Sequence, residues 1–206
     1  MAGRIITARH GRPNLTRDVR ISAADFGAWW AQYDESGLAP DETPPASLIE
    51  IASKATTVLS STLPRAIETA RHATLGDRTV PADPMFVEAP LPPPPVPFFK
   101  FSPTTWGVIS RTFWFLGYAP DGVESHAEAW RRVGEIADRL VDQAEQGDVL
   151  LCAHGYLNWM IDRKLRMIGW RRVGREGGNH YWSWRTYERR ARQAPAPGVS
   201  RNAPAG

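Results

Sequence analysis

The sequence predicts an α/β sandwich with a mostly parallel central sheet. Short apolar runs that end abruptly alternate with segments whose apolar residues recur at helical spacing. One of the runs, 148–153, is apolar almost throughout, as a strand covered on both faces must be. In addition, several of the runs end in ionisable residues, at the place where sheets of this kind bind ligands.

Arg4 to Ala8 reads as the first strand, followed by a loop. Ser22 then suits the N-cap of a helix over Ala23–Trp30, with Gly37 as its stop. Thr56 to Ser60 reads as the second strand, and Pro64 suits the first turn of a helix through Arg71. Met85–Val87 reads as a weaker third strand, ahead of a proline run over 89–97 that excludes regular helix or sheet. In Glu124–Glu145 the apolar residues Ala129, Val133, Ile136, Leu140 and Val141 define a long helix. Asp148–Ala153 is the buried strand, Tyr156–Ile168 the helix after it, and Tyr181–Arg185 a final alternating strand. With 206 residues, one domain over 1–190 is expected, and the Ala- and Pro-rich stretch 191–206 is expected to be a disordered tail.

Composition narrows the function classes. Net charge is +3, and with only three lysines the positive charge is nearly all arginine. The arginines alternate with acids, as in Arg131–Glu135, so a solvated surface is expected and no nucleic-acid partner. No apolar stretch reaches the roughly 18 residues of a membrane span. The first residues lack a leader-like apolar region, and Cys152 lies alone in an apolar run. A cytoplasmic protein with a buried structural thiol is therefore expected, without a membrane partner. Neither His-Glu-x-x-His nor clustered Cys/His spacing occurs, so neither metal nor other cofactor is expected.

The strand-end residues carry the chemistry. Arg9-His10 follows the first strand, Arg65 the second, Glu88 the third, and His154 the buried one. A neutral imidazole can attack phosphorus and hold the phosphoryl group covalently, a role that suits His10. Arginine matches two phosphate oxygens at once and keeps its charge, so Arg9 and Arg65 suit a clamp. A second imidazole, His154, can add a hydrogen bond to the transferring group. Asn14 reads either as a further phosphate contact from its loop or as a plain turn residue, and Arg12 as an exposed structural arginine.

Together, Arg9-His10-Gly11, Ser61-x-x-x-Arg65-Ala66-x-x-Thr69-Ala70 and His154-Gly155 resemble the histidine phosphatase superfamily, also called phosphoglycerate-mutase-like, over residues 4–185. The resemblance implies a three-layer α/β/α sandwich, a phosphohistidine on His10, no metal, and a proton donor in the loop after the third strand, which maps onto Glu88, with Asp83 and Glu124 as the other acids to consider. The Glu124-Ser125 pair that opens the long helix also matches. In the mutase branch the motif continues with Glu or Gln, then Ser or Thr, and has Asn six residues past the histidine. Here Arg12-Pro13-Asn14 follows and that position is Thr16. The expected function is thus hydrolysis of a small phosphomonoester, with a mutase or a catalytically weak phospho-ligand binding protein as the alternatives. The aromatic segment Phe98–Tyr118 is expected to be mostly core, with part of it forming an apolar wall that favours a flat or hydrophobic leaving group.

Overall fold

The central sheet is assembled around its most apolar strand. The computed structural model describes residues 3–96 and 98–190. In chain order the first elements are β1 (Ile5–Arg9), β2 (Ile21–Ser22), α1 (Ala23–Glu35), α2 (Ala46–Lys54), β3 (Thr57–Ser61), α3 (Pro64–Ala73) and β4 (Ala82–Asp83). After a 3-10 turn at Pro84–Phe86 come β5 (Lys100–Phe101), α4 (Pro103–Phe115), α5 (His126–Ala144), β6 (Val149–Ala153), α6 (Gly155–Met167), β7 (Trp170–Glu176) and β8 (Trp184–Arg189). The six-stranded sheet has the order β4-β3-β6-β1-β8-β7. Its first four strands run parallel, β8 is antiparallel to β1, and β7 is antiparallel to β8. The three-layer, mainly parallel architecture is the one the sequence predicts.

Alternation along the strands builds the two faces. Val149, Leu151 and Ala153 of β6 pack with Ile5 and Leu59 against α5 and α6. Leu150 and Cys152 point the other way, with Ile6, Ala8 and Val58, onto α2 and α3. Each fully buried aliphatic side chain contributes about 1.5–3 kcal/mol, so a strand buried on both faces anchors the fold. Burial pushes the Cys152 thiol up to about 12, which makes it an inert core residue. A third cluster, Phe26, Trp29, Tyr33 and Trp106, holds α1 against α4 beside the two-stranded β2–β5 ribbon.

Caps explain the helix starts. Ser22 and Ser125 each form a capping box, with Asp25 and Glu128. The matching Glu124 is not part of that cap; it pairs with Arg132 at 2.7 Å. Pro64 and Pro103 occupy first turns.

The third strand differs from expectation. Only Ala82–Asp83 pairs with β3, and Met85–Val87 is not a strand. Asp83 accepts from the Met85 N–H at 2.9 Å and Pro84 fixes φ, which together turn the chain into the 3-10 turn. Helix α2 and strand β7 carry no signal read in the sequence. The final strand starts later than expected, at Trp184. The tail expected over 191–206 lies outside the described residues. Among the described residues no helix is long and apolar enough to cross a membrane.

Candidate active site

Adjacent strands β3, β6 and β1 end side by side, and this brings the motif residues together. His10 lies just past β1, His154 just past β6, and Arg65 in the first turn of α3, after β3. The His10 and His154 rings are 5.3 Å apart, and both are buried, at 2% and 0% exposure. The Gly11 carbonyl lies 2.7 Å from His10 Nδ1. A carbonyl can only accept, so Nδ1 carries the proton and the lone pair is on Nε2. Burial first, then the Arg65 guanidinium, with Arg9 and Arg17 adding to them, holds His10 well below the ordinary imidazole value, against the raising effect of the Gly11 bond. The ring is a neutral nucleophile.

Among the described residues, Arg9, Arg65 and His154 each keep one buried nitrogen without a protein partner: Nε of both arginines and Nδ1 of the histidine. Arg65 is 1% exposed, donates to the Tyr33 carbonyl at 2.8 Å and to Asp34 at 3.0 Å, and lies over the Tyr33 ring. Arg9 donates to the Asn179 carbonyl and lies over Tyr181. The Ser61 hydroxyl is 2.8 Å from His154 Nε2 and accepts from the Leu63 N–H. With its own proton given to Nε2, the neutral His154 carries hydrogen on Nδ1 as a donor. Burial, then His10, Arg65 and Arg9, holds His154 well below the usual value too. A buried unsatisfied donor costs about 1–3 kcal/mol, so these three nitrogens are candidate partners for an acceptor-rich anion.

The glycines and the threonine of the motifs have packing reasons. The Gly11 N–H donates to Thr69 Oγ1 at 2.9 Å, and that hydroxyl donates to the Arg65 carbonyl at 2.6 Å, tying nucleophile to clamp. A Cβ on Gly11 would lie 2.4 Å from the Trp182 ring, and one on Gly155 would lie 3.2 Å from Arg9 Nε. Trp182 itself sits at φ +61, donates its ring N–H to Glu42 at 2.6 Å and its backbone N–H to the His10 carbonyl. Glu42 also accepts from the Arg12 N–H and side chain, so Arg12 is the structural arginine expected. Gly11→Ala is therefore expected to lower stability by about 1–3 kcal/mol. It should also slow phosphorylation of His10 by roughly 10²-fold through misplacement of the ring. Melting curves and single-turnover rates check both, and an unchanged rate would mean that the turn tolerates displacement.

Glu88 reaches the site, though from the loop after the 3-10 turn and not from a strand end. Its carboxylate accepts from the backbone N–H of Tyr156 at 3.0 Å and Leu157 at 2.7 Å, in the first turn of α6, and from Ala89 at 3.1 Å. Both oxygens thus act as acceptors at a helix N-terminus, a favourable place for an anion. The other two acids are elsewhere: Asp83 pairs with Arg139 and Glu124 with Arg132, and neither lines the cavity around His10. Asn14 is corrected. It is exposed and outside that cavity, because its N–H bonds the Gly37 carbonyl next to a Pro13–Leu38 bridge that runs the loop along the surface.

The cavity measures about 550 Å³ and is lined by Arg9, His10, Arg65 and Glu88 together with residues that belong to no motif. These include Arg17, Trp30 and Tyr33, and Tyr156 and Trp159 of α6. The wall from the segment 98–118 is there, but it consists of Pro103, Thr104, Gly107, Val108, Arg111 and Thr112. The aromatic residues of that segment stay out of it: Trp106 and Trp114 are buried in the core, while Phe98, Phe99 and Phe115 are exposed. The α4 stripe that faces the cavity is thus its non-aromatic one. Among the described residues no cluster of three or more His, Cys, Asp or Glu side chains could hold a metal ion.

Comparison with known proteins supports the architecture. The family model described as the histidine phosphatase superfamily (branch 1) matches residues 104–195. No curated protein matches the chain. Among solved structures, a mycobacterial glucosyl-3-phosphoglycerate phosphatase in complex with VO3 is similar with TM-score 0.58 and 20% identity, over 90% of this chain and 92% of that one. The ecdysone phosphate phosphatase of Bombix mori, in complex with tungstate, gives 0.53 and 14%, over 99% and 96%. A phosphoserine phosphatase from Entamoeba histolytica gives 0.53 and 19%, over 80% of each chain. At these identities the structures share the fold, and the family model links residues 104–195 to the histidine phosphatase superfamily (branch 1).

Proposed function

We propose that the chain is a phosphatase that hydrolyses a small phosphomonoester through a phosphohistidine on His10, without a metal. The observation that carries this reading is the convergence of a neutral His10, its lone pair on Nε2, with three unpartnered buried nitrogens on Arg9, Arg65 and His154. Nε2 attacks phosphorus and the bond to the ester oxygen breaks, while Arg9, Arg65 and His154 Nδ1–H stabilise the charge on the equatorial oxygens. The Nδ1–H bond to Gly11 holds the ring in place and stabilises the imidazolium character that develops on it. Glu88, the single carboxylate in the cavity wall, protonates the leaving oxygen; the resulting carboxylate then takes a proton from the water that attacks the phosphohistidine, and the P–N bond breaks. A cytoplasmic setting suits the buried thiol. No nucleic-acid or membrane partner enters this reading. The first test is turnover of a generic phosphomonoester with and without chelator. Activity that survives chelation and is inhibited by vanadate or tungstate is expected, and strict dependence on added metal would overturn the reading.

The role of Glu88 makes a sharper demand. An alkoxide needs a proton to leave, whereas a nitrophenolate leaves nearly unaided. Glu88→Gln is thus expected to slow phosphorylation by an alkyl phosphate by roughly 10²–10⁴-fold, and by an aryl phosphate much less. With the aryl substrate, labelled enzyme should accumulate and give burst kinetics. Equal losses on both substrates without accumulation would reduce Glu88 to the cap of α6 that its backbone contacts already make it.

A further inference from the structure

We propose that the alcohol released by this enzyme is a flat, largely apolar group that carries a second negative charge, with Arg17 binding that charge and the space beside Gly107 receiving the ring. This rests on the phosphatase reading and adds the substrate class to it. A cavity of about 550 Å³ falls within the roughly 300–1,000 Å³ of sites that take drug-sized ligands. Arg9, His10 and Arg65 account for the phosphoryl end. Beyond them the walls are Trp30, Tyr33, Leu91, Val108, Tyr156 and Trp159, with the Tyr156 and Trp159 rings stacked at 5.2 Å.

Gly107 is the unexpected member of this wall. It sits inside α4, where glycine costs about 1 kcal/mol relative to alanine, and its φ is not in the left-handed region. Packing does not require it: a Cβ there would meet nothing closer than Leu91 Cδ1 at 3.9 Å. The helix thus forgoes a side chain at a point that faces the cavity, which widens the apolar end where a flat group would lie.

The charge of the wall points to a second anion. Five arginines line the cavity, Arg9, Arg17, Arg65, Arg111 and Arg185, against the one carboxylate of Glu88. Arg111 is held by the Ala89 and Pro90 carbonyls and Arg185 by Asn179 Oδ1. Arg17 makes no hydrogen bond or ion pair to protein among the described residues; its guanidinium lies over the Tyr33 ring at 4.8 Å and the Trp29 ring at 6.0 Å. Ring stacking orients its donors without engaging them, so a ligand oxyanion can take a paired contact.

Four phosphomonoesters with the same primary alkyl leaving oxygen test this: ethyl phosphate, its carboxylated analogue phosphooxypropanoate, 2-naphthylethyl phosphate, and the same naphthyl ester with a carboxylate on the ring system. With wild-type enzyme the flat esters should exceed the small ones in kcat/KM by about tenfold. The carboxylate should add about tenfold to the flat ester. Gly107→Leu should cut the flat-to-small ratio, and Arg17→Met, which keeps an apolar stem on Tyr33, should cut the charged-to-neutral ratio, each by about tenfold. Wild-type ratios near one, or variants that slow all four esters alike, would overturn the proposal and leave Arg17 to the phosphoryl group. No turnover of any ester, with no phosphate on His10, would instead remove the phosphatase reading on which the proposal rests.

Discussion

His10→Ala is expected to lower turnover by roughly 10⁵–10⁶-fold, the scale seen when an enzyme loses its nucleophile. The loss should fall on kcat with the fold kept. His10 sits in a turn held independently by Gly11 N–H to Thr69, by Trp182 against Gly11 and by Glu42 beyond it. The imidazole fills a polar site and belongs to none of the three hydrophobic clusters. Melting curves close to wild type together with lost turnover are the expected pair of results. Substantial residual hydrolysis would mean that water attacks the ester directly and that His10 only positions it.

Arg65→Ala is expected to lower kcat/KM by roughly 10³–10⁵-fold, the range of a transition-state arginine. The argument is geometric. Two nitrogens of the guanidinium are fixed by the Tyr33 carbonyl and Asp34, which leaves Nε as the unpartnered donor of a side chain that lines the same cavity as His10. Arg65→Lys keeps the charge but not this fork, so it should recover little of the rate. The variants also expose the role of Asp34. Burial raises its carboxyl above the usual range and Arg65 works against that, so removing Arg65 raises it further. A carboxyl raised in the folded state makes stability fall as pH rises through its titration, and without Arg65 that fall should be larger than in the wild type. Arg65→Lys with near wild-type rate would show that charge alone suffices.

What was legible in the sequence is what the parallel sheet places at strand ends. Arg9, His10 and His154 could be found because a strand exit has a sequence signature and one destination. Arg65 could be found because Pro64 marks the first turn of α3. Glu88 lines the cavity for a reason other than the one that pointed to it, since β4 ends at Asp83 and the 3-10 turn set by Asp83 and Pro84 delivers it. Asn14 failed for the opposite reason: its place depends on the pairing of Pro13 with Leu38, a contact between loops that leaves no periodicity. Arg17, Trp30, Trp159 and Trp182 were not read because each owes its role to one face of a helix or the path of a loop, and both faces of α1 and α6 carry large side chains. In the aromatic segment composition was informative and direction was not. Helix α4 turns Trp106 and Trp114 into the core and presents Gly107 and Val108 to the cavity.

The central claim is the covalent intermediate, and the most direct measurement is to quench the enzyme during turnover of a phosphate-labelled ester and map the label by mass spectrometry. The account predicts phosphate on Nε2 of His10, labile in acid and stable in base, absent from His10→Ala and chased off by further incubation in water. Turnover without any trapped phosphate on His10, or an acid-stable label on a serine or threonine, would contradict it.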